Sequence, residues 1–249
     1  MEQKLLEEIR DEHGVMRVVE LGAYRFLEFG EGEGVEQSCV YRPDPSWLEY
    51  DYTRAMLLGA LAHPQPRRAL FLGLGAGSLV QACLKHLPLE VAEVIELRAE
   101  LPGMARRHLG LTDDPRLEIR IGDARRLVGS AALADLVFVD LYTDEGLSPA
   151  QLTADFLDQC RQRLLPGGWL VINQWGAPGG VPVGAPLLRR LFERHYWELP
   201  LTEGNVVLLV PASTVQTLPD VVLRERTEAL ATTLGYSLVP LLERLRPCS

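Results

Sequence analysis

Ala69 to Leu72 make an unbroken apolar run, and Gly73, Gly75 and Gly77 come directly after it, before a stretch from Ser78 to His86 with the look of a helix. A run without apolar–polar alternation is what a strand covered on both faces of a parallel sheet shows. In a strand–glycine turn–helix unit one glycine takes the tight turn, one lets a ligand approach bare backbone, and one lets the helix pack closely on the strand. The helix N-terminus then aims free N–H groups at whatever sits over the turn. Taken alone, the same unit is also a plain structural joint, so its meaning depends on the chain downstream of it.

Downstream of the turn, strand alternates with helix. Val91–Leu97, Leu117–Ile121, Leu136–Asp140 and Trp169–Gln174 read as strands. Helices are predicted around Ala99–Leu109, near Ala124–Val128 and from Ala150 to Leu164. Such alternation predicts an α/β fold with a doubly wound, mostly parallel sheet. Trp197–Leu201 and Val206–Val210 would close it as an antiparallel pair, which makes the sheet seven-stranded. Further helices are expected over Trp47–Ala62, near Pro186–Arg194 and near Pro219–Leu234. Upstream, Val15–Glu20, Tyr24–Phe29 and Glu36–Tyr41 predict a small N-terminal antiparallel β-hairpin unit. Residues 1–45 would form that unit and 46–249 the main domain.

A chain of 249 residues can bury one full-sized core. Its formal charge of −9 argues against nucleic acid, whose phosphates would be repelled, and is compatible with a cationic ligand. Met1 to Arg10 are charged and amphipathic, without the apolar core of a signal peptide, and no stretch approaches the ~18 apolar residues of a membrane span. Cys39, Cys83, Cys160 and Cys248 are scattered, with no C-x-x-C pair and no histidines at metal-ligand spacing. The expectation is a cytoplasmic, metal-free protein that binds neither membrane nor nucleic acid.

Ligands of an open α/β sheet bind beyond the carboxyl ends of its strands, and the acidic residues fall at those ends. Glu96 closes the second strand, where a carboxylate can accept from both hydroxyls of a ribose; its bland reading is a solvated strand-end charge. Asp123, in Ile121-Gly-Asp-Ala124, could accept from an exocyclic amino group, or cap the next helix, or do both. Asp140 ends an apolar strand at the cleft mouth and is a credible base or cation binder. Asp144 lies four residues on, in a loop, and would join it in holding an amine unless it is only a turn residue or cap.

At these residues the chain resembles the spermidine synthase (polyamine aminopropyltransferase) family, a branch of the class I S-adenosylmethionine-dependent methyltransferase fold. The landmarks are His63-Pro-x-Pro66, Gly73-x-Gly75-x-Gly77, Glu96, Asp114-Pro-Arg116 leading to Gly122-Asp123-Ala124, Asp140 with its acidic loop, Leu164-x-x-Gly167 and Gln174. They cover roughly residues 47 to 175. The resemblance implies a Rossmann-like catalytic domain that binds S-adenosylmethionine or its decarboxylated form as co-substrate. Gly73, Gly75 and Gly77 would approach the nucleoside, Glu96 would hold the ribose, and Asp123 and Ala124 would frame the adenine. Asp140, with Asp144, would be the base or orienting group for the attacking amine, and Tyr52, Tyr142 and Gln174 would line the acceptor site. The partner implied is a small-molecule amine, with a homodimer left open. Phe71, where ordinary methyltransferases carry an acid, also looks more like the aminopropyltransferases.

Two departures stand out. Synthases of this family read G-G-G-D-G in the turn, and the acid there holds the aminopropyl amine, whereas this chain has Ala76. They also read D-S-x-D-P after the fourth strand, and here Asp140 and Asp144 are one residue further apart. The readings that compete are therefore aminopropyl transfer to an amine, methyl transfer on the same scaffold, and a non-catalytic member that has kept the fold. A NAD-dependent dehydrogenase fits less well, since its G-x-G-x-x-G spacing would need a glycine where Ser78 stands.

Overall fold

The computed structural model describes residues 3–31, 34–143 and 146–248. Its first element is a four-stranded antiparallel sheet of β1 (Lys4–Asp11), β2 (Gly14–Leu21), β3 (Tyr24–Phe29) and β4 (Val35–Tyr41), ordered as in the sequence. Three of these are the predicted strands. β1 is an addition, because Lys4 to Asp11 lack clean alternation: the strand is an edge, irregular between Leu5 and Glu7, and several of its charged side chains form ion pairs. Glu7 pairs with Arg107 and His108, and Arg10 with Glu31.

The chain then runs α1 (Asp51–Ala60), β5 (Arg68–Leu72), α2 (Ser78–His86), β6 (Val91–Glu96), α3 (Leu101–His108), β7 (Leu117–Ile121), α4 (Ala124–Leu127) and β8 (Ala134–Val139). Next come a small hairpin, β9 (Tyr142–Thr143) with β10 (Gly146–Leu147), and then α5 (Ala154–Gln162), β11 (Leu164–Ala177), β12 (Val181–Pro182) and α6 (Ala185–Leu191). The chain ends with β13 (Trp197–Pro200), β14 (Asn205–Pro211), α7 (Asp220–Leu234), α8 (Val239–Leu242) and β15 (Arg246–Pro247).

The main sheet is ordered β15-β13-β14-β11-β8-β5-β6-β7. β11, β8, β5, β6 and β7 are parallel, and β14 and β13 close the edge antiparallel. The seven expected strands are all present, and two short additions, β15 and β12, hang on β13 and β11. From β5 the chain winds outward through β6 and β7, then returns to lay β8 on the other side of β5. That reversal opens a crevice between the ends of β5 and β8, the place where such sheets bind ligands.

Side chains alternate between two cores. Ala69 and Phe71 of β5 join Leu136 and Phe138 of β8 in the core under α1, α2 and α3, with the two phenyl rings stacked at 4.6 Å. Leu70, Leu72, Val137 and Val139 face the opposite core with Phe156 and Leu157 of α5 and Leu188 of α6. Both faces are covered, which is why these strands read as continuous apolar runs.

Candidate functional site

Beyond the carboxyl ends of β5, β6, β8 and β11, and against the N-terminal sheet, lies a cavity of about 560 Å³. On one side is the glycine turn. Gly73 has φ +97°, and its missing Cβ leaves room for the carbonyl of Asp140, so the ends of β5 and β8 can touch. Gly75, with φ +53°, faces the Ser38 hydroxyl of the N-terminal sheet, whose Oγ stands 2.7 Å from where a Cβ would be. The turn hands over to α2, whose N-cap Gly77 brings no side chain to the free N–H groups.

Glu96 closes β6 and is buried. Its Oε2 accepts from the Leu74 N–H in the turn at 2.9 Å, and its Oε1 accepts from the Arg98 N–H at 2.8 Å. A carboxylate oxygen takes about two hydrogen bonds, so each keeps capacity toward the cavity. Burial raises the Glu96 pKa, and the backbone donors work against that rise. Asp123 caps α4, accepting from the Arg125 N–H at 2.8 Å, and also lines the cavity with Ala124. Ile95, Leu97 and Leu101 supply apolar surface between these carboxylates.

On the other side stands Asp140, one residue past β8. Burial pushes its carboxyl up to about 6, while a hydrogen bond from Asn173 Nδ2 to its Oδ1, at 2.9 Å, pulls it down. Asn173 Oδ1 in turn accepts from Asn205 Nδ2 at 2.9 Å. Tyr52 of α1, Tyr142 of β9 and Trp175 of β11 complete this wall. Burial first, and then the carboxylates of Asp140, Glu203 and Glu36, hold the Tyr52 phenol far above its usual range. Burial also raises the Glu36 carboxyl, with help from Glu28 across the strand pair. This half therefore concentrates negative potential among aromatic rings.

The third wall is the N-terminal sheet, latched by Arg98. Its buried guanidinium donates to both carboxylate oxygens of Asp11, at 2.9 and 2.6 Å, and to the Gly14 carbonyl, and lies 4.8 Å over the Phe29 ring. The latch holds the β1–β2 turn, and with it His13, at the cavity rim.

Of the residues singled out in the sequence, Gly73, Gly75, Glu96, Asp123, Ala124, Asp140, Tyr52 and Tyr142 line the cavity together. Gly77 does not; it borders a small hollow of about 30 Å³ beside the cavity, with Ala76, Glu49, Tyr50, Tyr52 and Asp140. Asp144 lies outside the described residues. Gln174 is placed elsewhere: it is fully buried on the opposite face of β11, with Nε2 donating to the Gln151 carbonyl at 3.0 Å. Strand parity is the reason, since neighbours in a strand face opposite ways, and Asn173 is the residue that faces Asp140. Asn173, Asn205 and Trp175 went unnoticed in the sequence. Only parity relative to Asp140 could have singled out Asn173 and Trp175, and nothing local marks Asn205.

Among the described residues no cluster of three or more His, Cys, Asp or Glu is placed to hold a metal, and no helix is long and apolar enough to cross a membrane.

Residues 51–178, just over half of the chain, match the family model of the spermine/spermidine synthase domain. The polyamine aminopropyltransferase of Vibrio vulnificus is 28% identical over 219 residues, which cover 85% of this chain and 72% of that one. That of Chromobacterium violaceum is 28% identical over 237 residues, 93% of this chain and 89% of the other. A probable spermidine synthase from Corynebacterium glutamicum shares the fold at a TM-score of 0.70 and 22% identity, over 91% of this chain and 86% of that chain. Human methyltransferase-like protein 13, solved in complex with SAH, shares it at 0.64 and 23% identity, over 75% of this chain and 93% of the other. With its parallel sheet, its antiparallel N-terminal sheet and this match across the cavity-forming strands, the chain belongs to the spermine/spermidine synthase family.

Proposed function

We propose that this chain transfers an aminopropyl group from a decarboxylated S-adenosylmethionine-type nucleoside to a small amine, with Asp140 receiving the proton. The observation that carries the reading is Asp140 itself: a carboxylate at the β5/β8 crevice, next to the glycine turn, with a pKa lifted by burial to about 6. An alkyl ammonium with a lysine-like pKa is only about one part in a thousand neutral at pH 7, so the site must remove a proton before nitrogen can attack. A carboxylate whose pKa is raised toward neutrality is a better proton acceptor than an ordinary aspartate and is still ionised at pH 7.

Glu96 suits a ribose, because both of its oxygens keep acceptor capacity toward the cavity while backbone N–H groups hold the side chain still. Asp123 and Ala124, with Ile95, Leu97 and Leu101, suit a flat base with an exocyclic amine. The acceptor belongs on the Asp140 side, where Glu36, Tyr52, Tyr142 and Trp175 would receive a cationic, partly aliphatic molecule. In the reaction the amine lone pair forms a bond to the carbon beside the sulfonium. The carbon–sulfur bond breaks with its electrons going to sulfur, which leaves a neutral thioether, and the nitrogen's proton passes to Asp140. The relatives named as polyamine aminopropyltransferases favour this over methyl transfer.

The test is turnover of decarboxylated S-adenosylmethionine with a panel of diamines and polyamines, monitored by release of methylthioadenosine. Release that depends on an amine supports the reading. Methyl transfer from intact S-adenosylmethionine to the same amines, without aminopropyl transfer, replaces it with the methyltransferase alternative.

A further inference from the structure

Asn205 opens β14 and Asn173 lies in β11, on the same face of one antiparallel pair, where Trp175 is opposite Asn205 and Asn173 opposite Val207. They are thus diagonal neighbours, within side-chain reach. Asn173 is buried, and its amide has two orientations that differ only in which end faces Asp140. With the NH₂ end toward Asp140 it stabilises a carboxylate; with the carbonyl end it would repel one and accept a proton from the neutral acid. The Asn205 amide N donates to Asn173 Oδ1 and so fixes that oxygen on the side away from Asp140.

We propose that Asn205 is a positioning residue, which locks the Asn173 amide with its NH₂ toward Asp140 and thereby keeps Asp140 a proton acceptor with its second oxygen free for the amine. The inference rests on Asp140 being the proton acceptor of the proposed reaction, but the lock itself is a property of the protein without substrate. Burial is what favours the neutral acid at Asp140. The phenols of Tyr52 of α1 and Tyr142 of β9 feel its charge, and Tyr52 also feels those of Glu203, before β14, and Glu36 of β4. The cavity's cations are engaged elsewhere: Arg98 with Asp11, and Arg125 with Asp123 at 3.5 Å. His13 and Glu96, with Asp123, line the cavity from the other walls. Against that background the donated Asn173 hydrogen bond is what holds Asp140 down, and Asn205 decides whether it is donated.

The experiment is a double-mutant cycle read by ¹³C NMR titration of the Asp140 carboxyl in the free protein. Asn205→Ala removes the lock, Asn173→Leu removes both amide groups at similar volume, and the double variant closes the cycle. The Asp140 midpoint should rise by about one pH unit in Asn205→Ala. It should rise at least as far in Asn173→Leu, and the addition of Asn205→Ala to that variant should change nothing more. An equal shift from Asn205→Ala in both backgrounds, or none in either, overturns the lock. Asn205→Ser, which keeps a shorter donor, should fall between wild type and alanine, and guards against an alanine variant that fails to fold. With decarboxylated S-adenosylmethionine and putrescine as probes, Asn205→Ala should move the acid limb of kcat/KM upward by the same amount and leave the donor KM above that limb within about twofold. If the midpoints obey the cycle but no variant, nor the wild type, transfers a group to putrescine or the wider amine panel, the proposed function fails and the lock stands.

Discussion

On the glycine-turn side of the cavity, Gly73, Gly75, Glu96, Asp123 and Ala124 come from three consecutive strand–loop units. On the Asp140 side, Tyr52, Asp140, Tyr142, Asn173, Trp175 and Asn205 come from α1, the end of β8, β9, β11 and β14. The first side works through backbone: Glu96 is held by two main-chain N–H groups and Asp123 by one. The second works through side chains, in the chain Asn205 to Asn173 to Asp140. The two sides therefore tolerate change differently. A backbone-held carboxylate needs only the local turn, whereas a side-chain relay fails when any member changes.

The largest effect expected is on the second side. Asp140→Asn should lower kcat by about a thousandfold, within the range for a general base, and leave methylthioadenosine affinity within about twofold. Near-normal turnover in that variant would remove the distinction between the two sides. The same variant has a stability signature. A folded pKa of about 6 lies above the unfolded value of about 4, so the stability from the neutral acid is present below pH 4 and lost as pH rises through 6. Asp140→Asn should therefore be more stable than wild type at pH 8, by roughly 1–3 kcal/mol in denaturant titrations, and show no gain at pH 4. Wild-type kcat/KM should carry an acid limb near pH 6.

Next comes Glu96→Gln, which sets an amide against two backbone donors that it can match at only one end. Nucleoside affinity should fall ten- to a hundredfold, or about 1–3 kcal/mol, by calorimetry with methylthioadenosine. An unchanged affinity would mean that Glu96 only braces the turn.

A smaller effect tests Ala76, buried against the hollow that also borders Glu49, Tyr50 and Asp140. Without an acid on the turn, intact S-adenosylmethionine should bind at least as well as its decarboxylated form. Ala76→Asp should shift the ratio about tenfold toward the decarboxylated donor, the worth of one charge-assisted hydrogen bond. Paired titrations on each protein decide it, and a strong wild-type preference for the decarboxylated donor would sink the idea.

The smallest effect belongs to Gln174, next to Asn173 but on the other face of β11. Gln174→Met should leave kcat and KM within about twofold and cost about 1 kcal/mol of stability for the lost bond to the Gln151 carbonyl. A large kinetic effect would mean that both faces of the strand feed the site.

Legible in the residues themselves were the strand–turn–helix unit at Gly73, the alternation that makes the sheet parallel, and the carboxylates at strand ends. These are local features: burial on both faces writes an apolar run, a tight turn writes glycine, and a strand end writes its last polar residue at a countable position. β1 escaped because an edge strand held by ion pairs to α3 and Glu31 leaves no apolar alternation to read. That Asn173 rather than Gln174 meets Asp140 was settled in three dimensions, since parity is fixed by pairing with β8 and β14 and not by composition. The antiparallel return of β14 likewise brought Asn205 to that pair. A hydrogen bond between two side chains depends on register across strands distant in sequence, and neither residue's own neighbours carry any trace of it.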